Sequence, residues 1–439
     1  VSLQPGLSFS QAPPILVPFR FFLSAPLFAL LAALLALWLG PSLLDSRWQP
    51  AVLALTHLMT LGFLGMAMVG AMMQLLPVVA ASPVARPVGV ARAVHLLLIP
   101  GVLMLAGGFL LGMPLPMRLA MVLLGAGFMI FIAAAGLSLW RAPSGNPTMI
   151  GMRFAVAGLL VTVVLGLILA SNYGWTWWLT RWVQLTNLHA TWGLLGWVGL
   201  LVIGVSYQVV PMFQLTPAYP KPMTRWLSGM LFLLLLLGSA TFLLPEGRAQ
   251  AQATRVVALL LVAAFAVFAL VTLRLQLQRR RKQSDVTLLF WRFGMACLLL
   301  ALVMGLAGQA MPAWAGAQKV NFMMAFLFIA GFAVSVVNGM LYKIVPFLIW
   351  FHLQSLLIGV VRVPNMKLIM PEPGMRRQMW LHFAAVPALA LSALWPPLIY
   401  PAALLFGTSM ILLEINLLYA FRIYQQNAKL APKGEPSST

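Results

Sequence analysis

The sequence predicts an all-α membrane protein of twelve transmembrane helices, set as three similar four-helix arcs about a pseudo-threefold axis. Three observations predict it. Of 439 residues, 62% are hydrophobic and 8% charged, a composition that ordinary soluble domains do not have. Apolar runs of about 20 residues, long enough to cross the hydrocarbon core of a bilayer, recur along the chain. One phrase is also written three times: Gly62-x7-Gly70-x3-Gln74-x2-Pro77, Gly196-x7-Gly204-x3-Gln208-x2-Pro211 and Gly331-x7-Gly339-x3-Lys343-x2-Pro346. Gly70 and Gly204 are 134 residues apart, and Gly204 and Gly339 are 135 apart. A period that long is a multi-helix unit and not a solenoid motif.

The first run, at about 21–40, follows Arg20 and lacks a clear small-residue cleavage site, so it reads as an uncleaved anchor. Runs at about 51–80, 92–113 and 117–140 complete the first arc, 21–140. The second arc, 150–277, holds runs at about 150–171, 186–214, 223–245 and 252–277. The third, 287–424, holds runs at about 287–308, 319–351, 379–395 and 399–424. In each arc the repeated phrase falls on the second helix. Continuous apolar runs argue for helices, because barrel strands alternate residue by residue. The connections are too short for a soluble domain, so residues 1–439 read as a single polytopic membrane domain. The polar segment 425–439 (QQNAKLAPKGEPSST) reads as a disordered tail.

Charge sets the expected orientation. With both termini cytoplasmic, all but six of the 27 Lys and Arg residues lie on the cytoplasmic side, including Arg279–Lys282, Arg376 and Arg377. The six exceptions are Arg47, Arg118, Arg181, Arg248, Arg255 and Lys319. This is the positive-inside pattern of a bacterial-type inner (cytoplasmic) membrane protein. The net charge of +21 is then a topology signal and an attraction to anionic membrane lipid. Charges spread over many short loops give no nucleic-acid surface. Cys297, the single cysteine, has no partner for a disulfide within the chain.

The glycines and alanines of the second and sixth helices make smooth faces that let a helix backbone, or a flat ligand, approach closely. The proline near each cytoplasmic end is expected to kink the helix and free a carbonyl, which Gln74, Gln208 or Lys343 can satisfy. Five histidines are present. His57 and His189 sit near the extracytoplasmic starts of the second and sixth helices, whereas His95, His352 and His382 fall near the cytoplasmic ends of theirs. His57 precedes Gly70 by 13 residues and His189 precedes Gly204 by 15, so the two are not equivalent repeat positions. Two residues of helix amount to about 200° of rotation. Phe326 and Met324 hold the matching places in the third arc. Intramembrane histidines need partners. His57 and His189 therefore read as a ligand pair serving one asymmetric ligand or metal, with Thr60, Thr186, Asn187 and Thr191 as candidates to orient the rings. Met324 is the fallback ligand opposite His57. Glu414 is the only acid well inside a run, and an ion pair with Lys343 or Arg422 is the expected way to hold it.

Twelve helices, cytoplasmic ends, three four-helix arcs and the second-helix phrase HLMTLGFLGMAMVGAMMQLLPVV resemble the haem–copper oxidase subunit I superfamily. That superfamily includes the nitric oxide reductase large subunits and, more distantly, NnrS-type membrane haem proteins. The resemblance implies that His57 matches a low-spin haem ligand and that His189 takes the place of a copper ligand. The sequence departs from the family elsewhere. Its tenth run has no histidine before His352, its seventh has none at all, and the family's proton-loading acids are missing. The expectation is therefore a protein that binds b-type haem, with copper as a second candidate, without a complete oxygen- or nitric-oxide-reducing binuclear centre. Its role would be electron transfer, haem or metal handling, or the nitric-oxide response, with a respiratory complex or cytochrome as partner. Two readings from other classes stand beside it. One is a cofactor-free oxidase-fold subunit that docks on or helps assemble a respiratory complex. The other is a transporter, which the threefold repeat suits poorly.

Overall fold

A computed structural model describes residues 12–80, 82–142, 145–175, 180–281, 283–311, 317–357 and 361–431. Among them the chain is all helical, with no strand. Eleven helices are long and apolar enough to cross a membrane. They are α1 (Leu16–Leu44), α2 (Pro50–Val78), α3 (Pro87–Leu111), α4 (Pro114–Arg141), α5 (Pro147–Trp175), α6 (Trp182–Gln214), α7 (Lys221–Thr241), α8 (Arg248–Leu277), α9 (Val286–Ala310), α10 (Gln318–Leu356) and α12 (Pro396–Ala428). Between the last two lies α11 (Glu372–Ser392), a helix of 21 residues. It is less apolar because Glu372, Arg376 and Arg377 occupy its first turns and Gln378 and His382 its middle. Proline opens several of these helices, at Pro50, Pro87 and Pro114 for example, where its missing N–H is no loss and its fixed φ suits the first turn. The polar tail is shorter than expected. Residues 425–428 continue α12, which ends at Ala428, and 432–439 lie outside the described residues.

Consecutive helices pack side by side, α3 on α4, α4 on α5, α8 on α9 and α11 on α12, and α12 closes onto α1. Each motif helix also packs against the helix before it: α2 on α1, α6 on α5 and α10 on α9.

The repeated phrase has a shared structural signature. Each motif helix widens into i→i+5 turns over Leu58–Gly65, Trp192–Gly199 and Leu327–Val334. Each wide segment ends five residues before Gly70, Gly204 or Gly339. In a regular helix, two glycines eight residues apart would point about 80° away from each other. Here both lie against the preceding helix, although the Cβ direction of Gly196 itself looks toward Trp192 and Leu235. Gly62 and Gly70 meet Phe28 and Phe21, Gly196 and Gly204 meet Gly158 and Gly151, and Gly331 and Gly339 meet Cys297 and Phe290. Those partners are spaced seven residues apart, two α-helical turns, so the wide turn takes up the extra residue. A Cβ added at Gly204 would lie 2.8 Å from the Gly151 Cα, which leaves space only for glycine. The prolines, by contrast, do not unwind their helices, since Pro77, Pro211 and Pro346 all sit inside continuous helix.

The three motif helices also converge. A small cavity of about 70 Å³ between them is lined by Ala67, Ala71 and Leu75 from α2, by Leu201, Val205 and Val209 from α6, and by Val336, Met340 and Ile344 from α10. These positions stand at the same offsets from Gly70, Gly204 and Gly339 (three before, one after and five after). Apart from the Trp291 ring, the described side chains that line it are aliphatic, phenyl or thioether groups.

Candidate functional site

His57 and His189 come together. Their ring centroids are 6.2 Å apart and the rings are within 24° of parallel. His57 ends the first regular stretch of α2, immediately before the wide turn, and His189 stands three residues before the wide turn of α6. One nitrogen of each ring is tied to a backbone carbonyl. His57 Nδ1 donates to the Leu53 carbonyl at 2.7 Å, and His189 Nδ1 to the Thr162 carbonyl of α5 at 3.0 Å. A carbonyl can only accept, so each Nδ1 carries the proton and each Nε2 keeps its lone pair. Neither Nε2 hydrogen-bonds to another described residue. An imidazole whose Nδ1–H is anchored on a carbonyl has its tautomer and ring orientation fixed for metal binding through Nε2.

The surroundings hold the rings in place. Phe109 of α3 stacks on His57 with centroids 5.6 Å apart, and Tyr173 of α5 meets Phe109 edge-on at 5.3 Å. Gly166 makes room for His189, since a Cβ there would come within 2.9 Å of the imidazole Cε1. The site is thus built by α2, α3, α5 and α6.

The expected orienting residues do not serve it. The hydroxyls of Thr60, Thr186 and Thr191 each bond back to a carbonyl one turn earlier on their own helix. Asn187 and Thr191 line a different cavity. The Leu53 and Thr162 carbonyls take that role instead, and side-chain reasoning could not find them. Met324 is not brought to the pair either. It lines the same separate cavity, with its methyl beside Gly305. Among the described residues, no group of three or more His, Cys, Asp or Glu side chains is placed to hold a metal ion, so the donor set here is two imidazoles.

Other expected pairings are replaced. Lys343 bonds Asp285 at 3.2 Å, not Glu414. Asp285 caps α9 by accepting from the Leu288 N–H at 2.9 Å, so the lysine docks on a helix start. Glu414 is ion-paired to neither Lys343 nor Arg422, and its Oε2 is buried with no hydrogen-bond partner. Gln74 is buried with its Oε1 unpartnered. Gln208 is half-buried and makes no side-chain hydrogen bond to another described residue.

The remaining histidines are held by local partners. His95 bonds Ser24 Oγ at 3.1 Å, and His352 bonds the carbonyls of Leu348 and Pro13. His382 departs from expectation. Because α11 begins at Glu372, His382 falls mid-helix and is fully buried. It bonds Ser335 Oγ at 2.9 Å. One helical turn before it on α11, Gln378 belongs to a separate buried polar ladder between α10, α11 and α12. Tyr342 donates to Gln378 at 3.0 Å, Gln378 to Ser409 at 2.9 Å, and Asn416 to the Tyr342 hydroxyl at 2.9 Å. Asn338, on the same helix as Ser335 and Tyr342, is fully buried with both amide atoms unpartnered. The sequence signal for this ladder was the unusual polarity of the eleventh run.

No family model matches the chain, and no curated protein matches it either.

Proposed function

We propose that this chain is a haem–copper-oxidase-like protein of a bacterial-type inner membrane, with cytoplasmic ends, in which His57 and His189 jointly hold the iron of one b-type haem. It would lack a binuclear reductase centre. The observation that carries the reading is the pair of near-parallel imidazoles, 6.2 Å between centroids, each with Nδ1 bound to a carbonyl and Nε2 left free among the described residues. Two imidazoles on one iron need their coordinating nitrogens about 4 Å apart, hence centroids about 6 Å apart. When bound, the haem would supply one-electron transfer. The chain's own residues fix the two rings, set their tautomers and surround them with Phe109 and Tyr173, which limits water.

The three-arc arrangement is part of the same proposal. The wide turns in one register and the shared offsets at the central seam support it. It also accounts for the offset of the histidines. Away from the axis, neighbours related by a rotation meet through unlike positions, as in any head-to-tail interface, so two residues that meet across α2 and α6 outside the central seam need not be equivalent in the repeat.

The optical spectrum of protein purified from haem-replete cells tests this. A Soret band and a sharp reduced α-band are expected, and metal analysis separates iron from copper, the other metal that two imidazoles suit. A colourless, metal-free preparation would overturn the reading. It would favour a cofactor-free oxidase-fold subunit that docks on a respiratory complex. One observation favours that alternative: the motif glycines are closed against neighbouring helices and present no open face to a flat ligand.

A further inference from the structure

A second, larger cavity of about 1120 Å³ lies in the half of the bundle toward the α1–α2 connection. Its size is at the top of the range of about 300–1,000 Å³ usual for small-molecule sites. Its lining is graded. At one end stand the outer turns and loops, with Arg47, Arg255, Gln250 and Asn321; deeper in, the lining becomes Phe265, Phe328 and Phe406. His57 and His189 are not among the lining residues, so the cavity is independent of the haem reading.

The two arginines point to the ligand. Basic residues are scarce on this side of the chain, and two of the six there line this one cavity. Neither forms an ion pair with a described carboxylate. Arg181 of the same side, by contrast, has Glu246 at 3.3 Å. Arg47 is held over the Trp48 ring at 4.1 Å, and Trp48 packs edge-on against Trp182 at 4.9 Å. Arg255 donates to the Gln309 carbonyl at 3.3 Å, and the buried Gln309 Oε1 has no partner. Two uncompensated guanidiniums above an apolar floor match an anion on an apolar body.

We propose that this cavity binds an amphiphile with a carboxylate or phosphate head group, its head between Arg47 and Arg255 and its apolar part toward Phe265 and Phe328. The source is a free fatty acid or an anionic membrane phospholipid. Native mass spectrometry on protein delipidated in an uncharged detergent tests this with three probes: palmitate, phosphatidylglycerol, and phosphatidylcholine with the same chains. The wild type should retain one anionic amphiphile about tenfold better than the zwitterionic lipid. Preference for palmitate or for phosphatidylglycerol identifies the source. The double variant Arg47→Gln/Arg255→Gln should lose the preference, and Ala258→Phe, which narrows the cavity beside Arg255 and leaves both arginines, should weaken binding of all three probes. Equal retention of anionic and zwitterionic lipid by the wild type overturns the proposal without any variant having to fold. Undiminished preference in the double variant overturns it as well.

Discussion

The motif helices α2 and α6 carry a histidine each just before their wide turns, and the third, α10, carries its buried hydrogen-bonding residues after its wide turn. All three share the wide turn, the glycine pair that packs against the preceding helix, and the positions at the central seam. Yet α2 and α6 bring two histidines together, whereas α10 has Met324 and Phe326 near that depth and carries Ser335, Asn338 and Tyr342 toward α11 and α12. The scaffold is repeated and its chemistry is not. Backbone geometry set by small residues is the common element, and the polar groups differ from one motif helix to the next.

Breaking the common element should have the largest effect. Gly204→Leu would force side-chain atoms into the backbone of Gly151, and about 3 kcal/mol or more of destabilisation is expected. Denaturant titration of purified protein would read it. Gly65→Ala is the control: its only near neighbour is the Thr60 carbonyl at 3.2 Å, and its effect should stay below about 1 kcal/mol. If the two substitutions behaved alike, close packing of the motif helix would not be what the repeat encodes.

The α10 ladder comes next. Tyr342→Phe removes the hydroxyl that donates to Gln378 and accepts from Asn416, leaving both without that partner in a buried setting. A loss of about 1–3 kcal/mol is expected. Asn338→Leu should have the smallest effect of all, from neutral to stabilising. Its amide makes no hydrogen bond, and an apolar side chain of similar volume removes a buried unsatisfied group. A thermal midpoint lowered by Asn338→Leu as much as by Tyr342→Phe would mean that the amide has a partner, bound water for instance, and that the ladder is continuous through it.

Much of this was legible in the sequence, and the failures share one cause. Apolar run length located eleven helices able to cross a membrane, one fewer than the twelve expected because the eleventh run belongs to the more polar α11. The repeated phrase located the three special ones. A spacing of eight between glycines was itself a signal of the wide turns, because an α-helix returns to the same face after seven residues, not eight. Depth was also legible: His57 and His189 were placed together on that ground alone. Azimuth was not. Lys343 and Glu414 share a depth but face different neighbours, and the lysine found Asp285 at the start of α9. The eleventh helix was placed too late in the chain because its first turns are charged. That error put His382 near an interface when it is fully buried mid-helix.

The central claim, that two inequivalent histidines from two arcs serve one ligand, is tested most directly by the haem content and spin state of His57→Ala and His189→Ala measured side by side with the wild type. If the pair holds one iron, the wild type carries one six-coordinate, low-spin haem, and each single variant loses it or converts it to a high-spin form. A haem that keeps its low-spin spectrum in either variant would show that the two rings do not share an iron, and would contradict the account.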